Sequence, residues 1–127
     1  MHFPEDLRYT EEHEWAGYDQ ESGIATIGIT DFAQSELGDI VFLELPAVGD
    51  NVQAGDAIGT IEAVKTVADL YAPISGEIVE VNAQLDDSPE LINQDPYEKG
   101  WMIKIKLTEP EEFEALLSME KYQSLVE

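Results

Sequence analysis

Short apolar runs that alternate with polar positions fill the chain from Arg8 to Leu107, each closed by Gly, Pro, Asn or Asp. This period-two pattern predicts a mainly β fold. Residues 24–29 read as one strand, ending at Thr30-Asp31. There Asp31, with Gln34 three residues later, has the spacing of a capping box and predicts a short helix that Gly38 stops. Residues 40–45 form the next predicted strand, closed by Pro46, and residues 57–62 another, opened by Gly55-Asp56. Residues 67–71 are its natural hairpin partner. Pro73-Ile74-Ser75-Gly76 is a turn, and residues 77–81 alternate acids with β-branched side chains, one face wet and one buried. Residues 101–107 complete the strands.

Beyond Leu107 the period changes. Thr108 and Glu111 repeat the capping-box spacing with Pro110 between them, and Phe113, Leu116 and Leu117 recur on one helical face. A C-terminal helical tail over about 109–126 is therefore expected to cover one end of a β core over about 8–107. Residues 48–52 faintly echo residues 74–78, which predicts a quasi-symmetric pair of small sheets. Trp15 and Trp101 are expected in the core. A chain of 127 residues has room for one such domain, here 1–127.

Composition narrows the chemistry. With no cysteine, disulfides, thiolate metal sites and cysteine nucleophiles are excluded, so any redox step must belong to an attached or bound group. The 28 acidic residues against 6 basic ones, a formal net charge of -22, repel nucleic acid and anionic membranes. Partners are expected to be proteins with basic faces. No apolar run is long enough to span a bilayer, and the N-terminus, with His2 in a terminus expected to be loose, resembles neither a signal nor a transit peptide. The expected location is cytoplasmic, or the mitochondrial matrix for an already processed eukaryotic chain. His13 stands among Glu11, Glu12 and Glu14, but adjacent strand residues point to opposite faces, so no metal site is expected. No nucleophile, base and orienter set occurs either, and no catalytic residue is assigned.

The sharpest local feature is Ile61-Glu62-Ala63-Val64-Lys65-Thr66-Val67-Ala68-Asp69, two strand halves facing each other across Val64-Lys65. Lys65 thus stands at a hairpin tip, with no other basic residue between Arg8 and Lys99. With Ala72-Pro73-Ile74-Ser75-Gly76 downstream, the run resembles the swinging-arm signature of lipoyl and biotinyl carrier domains. Such a carrier must present one amine away from its body on a rigid root. Biotinyl domains usually flank the lysine with methionine, whereas Val64 and Thr66 stand here, so lipoyl is favoured.

The flanking segments then resemble the glycine cleavage H-protein family from about Leu7 to Tyr122. The matching pieces include Leu7-Arg8-Tyr9-Thr10, His13-Glu14-Trp15, Gly28-Ile29-Thr30-Asp31, Leu37-Gly38-Asp39-Ile40, Ser88-Pro89-Glu90-Leu91-Ile92-Asn93 and Pro96-Tyr97-Glu98-Lys99-Gly100-Trp101. The resemblance implies a barrel-sandwich hybrid with peripheral short helices, and a non-enzymatic carrier bearing lipoate in amide linkage on Lys65. The implied partners are the pyridoxal-phosphate glycine decarboxylase (P protein), the aminomethyltransferase (T protein), dihydrolipoamide dehydrogenase (L protein) and a lipoate ligase or lipoyl/octanoyl transferase. It further implies a cleft that shelters the loaded arm, in which Glu14 and Asp69 occupy matching positions. Phe32 stands where many members have histidine, and Glu12 where a small hydroxyl residue is common. Phe32 is read either as packing against the arm's hydrocarbon or as core of the short helix. A lipoate-binding protein of another pathway, serving sulfur oxidation or lipoate relay, and a biotinyl carrier subunit remain the alternative readings.

Overall fold

The computed structural model describes residues 1–127. Nine strands form two sheets. The larger contains β1 (Arg8–Tyr9), β2 (Glu14–Asp19), β3 (Ile24–Ile29), β5 (Asn51–Val52), β8 (Gly76–Val81) and β9 (Ile103–Leu107), in the order β1-β2-β3-β9-β8-β5. The smaller is a meander of β4 (Ile40–Glu44), β6 (Ala57–Ala63) and β7 (Val67–Tyr71), in the order β4-β6-β7. The expected mainly-β sandwich is present as two facing sheets, without a closed barrel. All strand pairs are antiparallel, and inward positions such as Ile27, Ile61, Leu70, Ile78, Ile103 and Ile105 are fully or almost fully buried in one apolar cluster. Alternation places these β-branched and leucine side chains on the inner faces.

Two helices matter to the site. Helix α1 (Asp31–Leu37) is capped by Thr30, whose Oγ1 accepts the Ala33 amide at 3.2 Å. The expected Asp31 cap is thus displaced by one residue, because Thr30 has extended backbone and Asp31 is already helical. The Gln34 side chain does return to Asp31, at 2.8 Å. Gly38 ends the helix at φ 80°, a conformation that favours glycine. Short helices α2 (Gln84–Asp87) and α3 (Leu91–Gln94) follow β8. From α3, Asn93 accepts the Ile40 amide at 3.0 Å and donates to the Gly38 carbonyl at 2.8 Å, fastening the end of α1 to the start of β4.

The tail departs from the single amphipathic helix expected. Helix α4 (Glu111–Glu114) has no side-chain cap, so the Thr108–Glu111 spacing does not act as a capping box. Its Glu112 carboxylate instead takes the Ser75 amide at 2.7 Å and the Ser75 hydroxyl at 3.0 Å. Leu117 leaves the helical path to form a two-hydrogen-bond bridge with Tyr9, and Ser118 then caps a new helix, α5 (Met119–Val126). Phe113 and Leu116 pack on the main core, while Leu117 joins a second cluster around Tyr9, Trp15 and Tyr122. The predicted pair of quasi-symmetric sheets is also corrected. The two echoing segments pair with each other, Asn51 opposite Glu77 and Val52 opposite Gly76, and the sheets differ in size. Trp15 is buried as expected, whereas Trp101 is only half-buried, under the Lys104 ammonium at 5.0 Å from its ring centroid.

At Gly76 on β8, a Cβ would lie 2.1 Å from the Lys106 carbonyl oxygen of β9. Backbone cannot give way as a side chain does. Gly76→Ala is predicted to destabilise the fold by about 1 to 3 kcal/mol through this overpacking, measured by urea unfolding. An unchanged midpoint and slope would contradict the packing described.

Candidate functional site

The lysine turn is built as the sequence indicates. Glu62 faces Val67 across the hairpin, the Ala63 amide donates to the Thr66 carbonyl at 2.8 Å, and Val64 and Lys65 close the loop, both exposed. The Val64 amide then donates to the Asp39 carbonyl at 3.0 Å, just beyond α1. The turn therefore has a fixed root: hairpin hydrogen bonds on one side, and on the other a contact to a helix end that Asn93 already holds.

Two elements lead away from that root and meet the same segment. Along β7, the five strand residues Val67–Tyr71 carry the chain away from the turn, about 17 Å at the usual rise. The Tyr71 amide there donates to Glu14 Oε2 at 3.2 Å. Along α1, the path from Asp39 back to Thr30 is about 14 Å, and the Thr30 amide donates to the His13 carbonyl at 3.0 Å. The segment from Glu12 to Glu14 thus closes a triangle whose opposite corner is Lys65. Both paths start at the lysine turn and end on this one segment.

Glu14 is the unusual group of this triangle. It is 2% exposed, and no cationic side chain lies beside it. Its Oε1 accepts the Thr10 hydroxyl at 2.6 Å, while Oε2 accepts the Tyr71 amide. Burial pushes the carboxyl pKa up to about 7, the two hydrogen bonds pull it partly back, and the neighbouring Glu12 charge raises it again. A cleft of about 360 Å³ opens onto this acid, lined also by Thr10, Glu12, Gly55, Tyr71, Ala72 and Pro73. A larger cleft of about 610 Å³ lies around Ser75 and Glu112 and includes neither Lys65 nor Glu14.

The other sequence-predicted residues distribute around this centre. Glu12 is exposed at the cleft's lining. Asp69 is exposed on β7 and meets the cleft only through the Tyr71 hydroxyl, 3.5 Å away. Phe32 lies half-buried at the start of α1 with its ring 4.9 Å from that of His13, outside the small cleft. No group of three metal-ligating side chains is present. His2 is not loose as expected: its amide donates to Asp31 at 3.3 Å, its carbonyl accepts the Tyr97 hydroxyl at 2.7 Å, and its ring stands edge-on to Tyr97.

Sequence reasoning missed Thr10, Tyr71, Thr30 and Tyr122. The Tyr122 ring, on α5, is wholly buried, and its hydroxyl lies 2.8 Å from His13 Nδ1 and 2.7 Å from Thr30 Oγ1. Only the pairing of remote segments brings these groups together. No local spacing announces it.

The raised Glu14 pKa has a thermodynamic consequence. Below its ordinary value of 4.5 the acid is protonated in both folded and unfolded chains, and burial of the neutral form carries no ionic penalty. As pH rises from there to about 7, the unfolded chain ionises first and stability is lost; above that the loss is complete. Relative to Glu14→Gln, the protein is predicted to lose about 2 to 3 kcal/mol between pH 5 and pH 8. Urea unfolding of both forms measures the gap, and a gap constant with pH would contradict the assignment.

Comparison with known proteins agrees with this geometry. The family model described as glycine cleavage H-protein matches residues 7–127. The glycine cleavage system H protein of Carboxydothermus hydrogenoformans is 56% identical over 124 residues, covering 98% of this chain and 94% of the relative. A crystal structure of a glycine cleavage system H protein from Mycobacterium marinum superposes with a TM-score of 0.88 at 42% identity, covering 96% of this chain and 97% of the other. The lysine turn and agreement along almost the whole chain coincide, and the chain belongs to the glycine cleavage H-protein family.

Proposed function

We propose that this chain is the lipoyl carrier of a glycine cleavage system, with lipoate joined in amide linkage to Lys65. The observation that carries the reading is the placement of Lys65 on a doubly anchored hairpin tip that shares one triangle with the buried Glu14. Held on Lys65, lipoate would supply the disulfide that accepts the aminomethyl group as the P protein decarboxylates glycine and that ends the cycle as a dithiol. The T protein passes the carbon to tetrahydrofolate and frees ammonia. The L protein then reoxidises the dithiol. The protein supplies location and shelter, and the attached group supplies the redox chemistry that a cysteine-free chain lacks.

The surface around the tip suits repeated docking. Four of the seven exposed large apolar side chains, Val41, Phe42, Val64 and Val67, flank the lysine turn or the strands that lead into it. Phe42, Glu62 and Val67 form one cross-strand row on the outer face of the small sheet, with Glu44, Thr60 and Asp69 behind it. Apolar contacts set among acids match partners with basic rims, in keeping with the net charge of -22. The lipoate-attaching ligase or transferase must approach this face to reach the amine itself.

Attachment depends on an enzyme, because an ordinary lysine amine is almost wholly protonated at neutral pH. Lys65→Arg keeps the charge and cannot form the amide. Intact mass of protein from its own host is predicted to show one lipoyl increment in wild type and none in Lys65→Arg; an increment that persists in the variant would overturn the assignment.

Glu14 gives the loaded arm a place to rest. The amine of the aminomethyl group is a cation, and the buried Glu14 carboxylate would hold it by a charge-assisted hydrogen bond of about 1.5 to 3 kcal/mol. The same bond slows spontaneous loss of ammonia and formaldehyde by about tenfold or more. Glu14→Gln is predicted to accelerate formaldehyde release from the loaded carrier, in the absence of T protein, by that factor, and Asp69→Asn to do so less, because solvent reaches it. Equal decay of wild type and Glu14→Gln would reduce Glu14 to a structural acid.

A further inference from the structure

His13 adopts φ 70°, the one residue other than glycine with left-handed backbone. Such a conformation is uncommon outside glycine and persists where its surroundings impose it. Three contacts do so here. The Thr30 amide holds the His13 carbonyl, the Phe32 ring lies 4.9 Å from the imidazole, and Tyr122 sits against Nδ1 at 2.8 Å.

The proton positions in this cluster follow from counting donors. Thr30 is wholly buried, and its Oγ1 accepts the Ala33 amide. The only other partner of that hydroxyl is Tyr122, so its hydrogen must go to the Tyr122 oxygen or be buried unpaired. Burial pushes the Tyr122 pKa up to about 12, which keeps its proton in place, and that proton then points to His13 Nδ1. Every hydroxyl in the chain Thr30, Tyr122, His13 donates once and accepts once.

We propose that Tyr122 is a positioning residue of the arm cleft: its hydroxyl fixes His13 as the neutral tautomer with its proton on Nε2, and so holds the segment whose two flanking residues, Glu12 and Glu14, line the pocket. The inference rests on the arm-carrier reading given above. Its physical sense lies in charge. The acids that face His13 are Glu12 on its own segment and Glu36 on α1, both of which favour an imidazolium, whereas burial opposes one. An imidazolium there would compete with the arm's ammonium for the same carboxylates. With Nδ1 already accepting the Tyr122 proton, protonation of His13 must break the relay from Thr30, so the relay keeps the imidazole between Glu12 and Glu14 neutral. The C-terminal helix, otherwise remote from Lys65 in sequence, thereby takes part in the shelter.

The test uses the full-length carrier and two readouts. Nitrogen-15 spectra of the unloaded wild type are expected to show His13 as a single Nε2-protonated tautomer. In Tyr122→Phe the ring stays and the donor goes, so the tautomers should mix and the His13 pKa should rise. Thr30→Val should act in the same direction, while Thr30→Ser should restore the wild-type spectrum. Tyr9→Phe serves as a control, since it removes another buried hydroxyl of the same aromatic cluster, one that donates to Pro4 at 2.6 Å and not to His13. The second readout is formaldehyde release from the aminomethyl-loaded form, expected to quicken several-fold in Tyr122→Phe and not in Tyr9→Phe. Unchanged His13 spectra in Tyr122→Phe would overturn the relay, and altered spectra with unchanged release would overturn its role in the cleft. Failure of the carrier reading would show separately, as absence of a lipoyl increment on wild-type Lys65.

Discussion

The hydrogen bond from the Tyr71 amide to Glu14 crosses from the small sheet to the large one and does so through a buried carboxylate that no cation neutralises. Much of the site depends on this constraint. It fixes the near end of β7 against the start of β2, so the hairpin that β7 shares with β6 points the Lys65 tip at a set distance and angle. It also holds the segment from Thr10 to Glu14 in place, with the Thr10 hydroxyl accepting the amides of Glu12 and Glu14 while donating to the Glu14 carboxylate. A buried acid of this kind works against stability near neutral pH. A buried acid where a neutral amide would cost less fits the proposed role of receiving the arm's cation.

Most of the fold was legible because its signals are local. The β7 limits, the Gly38 stop and the Val64-Lys65 tip follow from alternation and turn chemistry, which act within a few residues. The failures share a cause in long-range pairing. Thr108 and Glu111 have the spacing of a cap, yet Glu112 satisfies Ser75 instead, because a buried turn with free donors outcompetes a helix start in solvent. Leu117 fits the helical face of Phe113 but is drawn out of it by the backbone of Tyr9. Residues 48–52 resemble residues 74–78 because they are partners in one sheet, not founders of two.

The site shows the same division. Lys65 could be found from its turn, and Glu14, Glu12, Asp69 and Phe32 from resemblance to the family. What the sequence did not disclose is how unlike one another those acids are. Glu14 is enclosed and Glu12 and Asp69 are open to water, a difference set by strands that pair across the whole chain. Nor does any spacing join His13 and Thr30 to Tyr122, which lies over ninety residues beyond either of them. Where many relatives carry histidine, Phe32 leaves no ionisable group, but the structure places the His13 imidazole against its ring. The departure therefore leaves position 32 without an ionisable group, while the neighbouring imidazole belongs to the segment between Glu12 and Glu14.

The central claim is that Glu14, buried and with its pKa raised to about 7, becomes the carboxylate partner of the arm's amine. Its most direct test is the carboxyl carbon-13 titration of Glu14 in two forms of the protein, lipoylated with the arm oxidised and lipoylated with the arm bearing the aminomethyl group. In the first the pKa is expected near 7, where burial places it. In the second an adjacent ammonium should draw it down toward or below the ordinary carboxylate range. The same titration midpoint in both forms would contradict the account, since the amine would then be resting somewhere other than against Glu14.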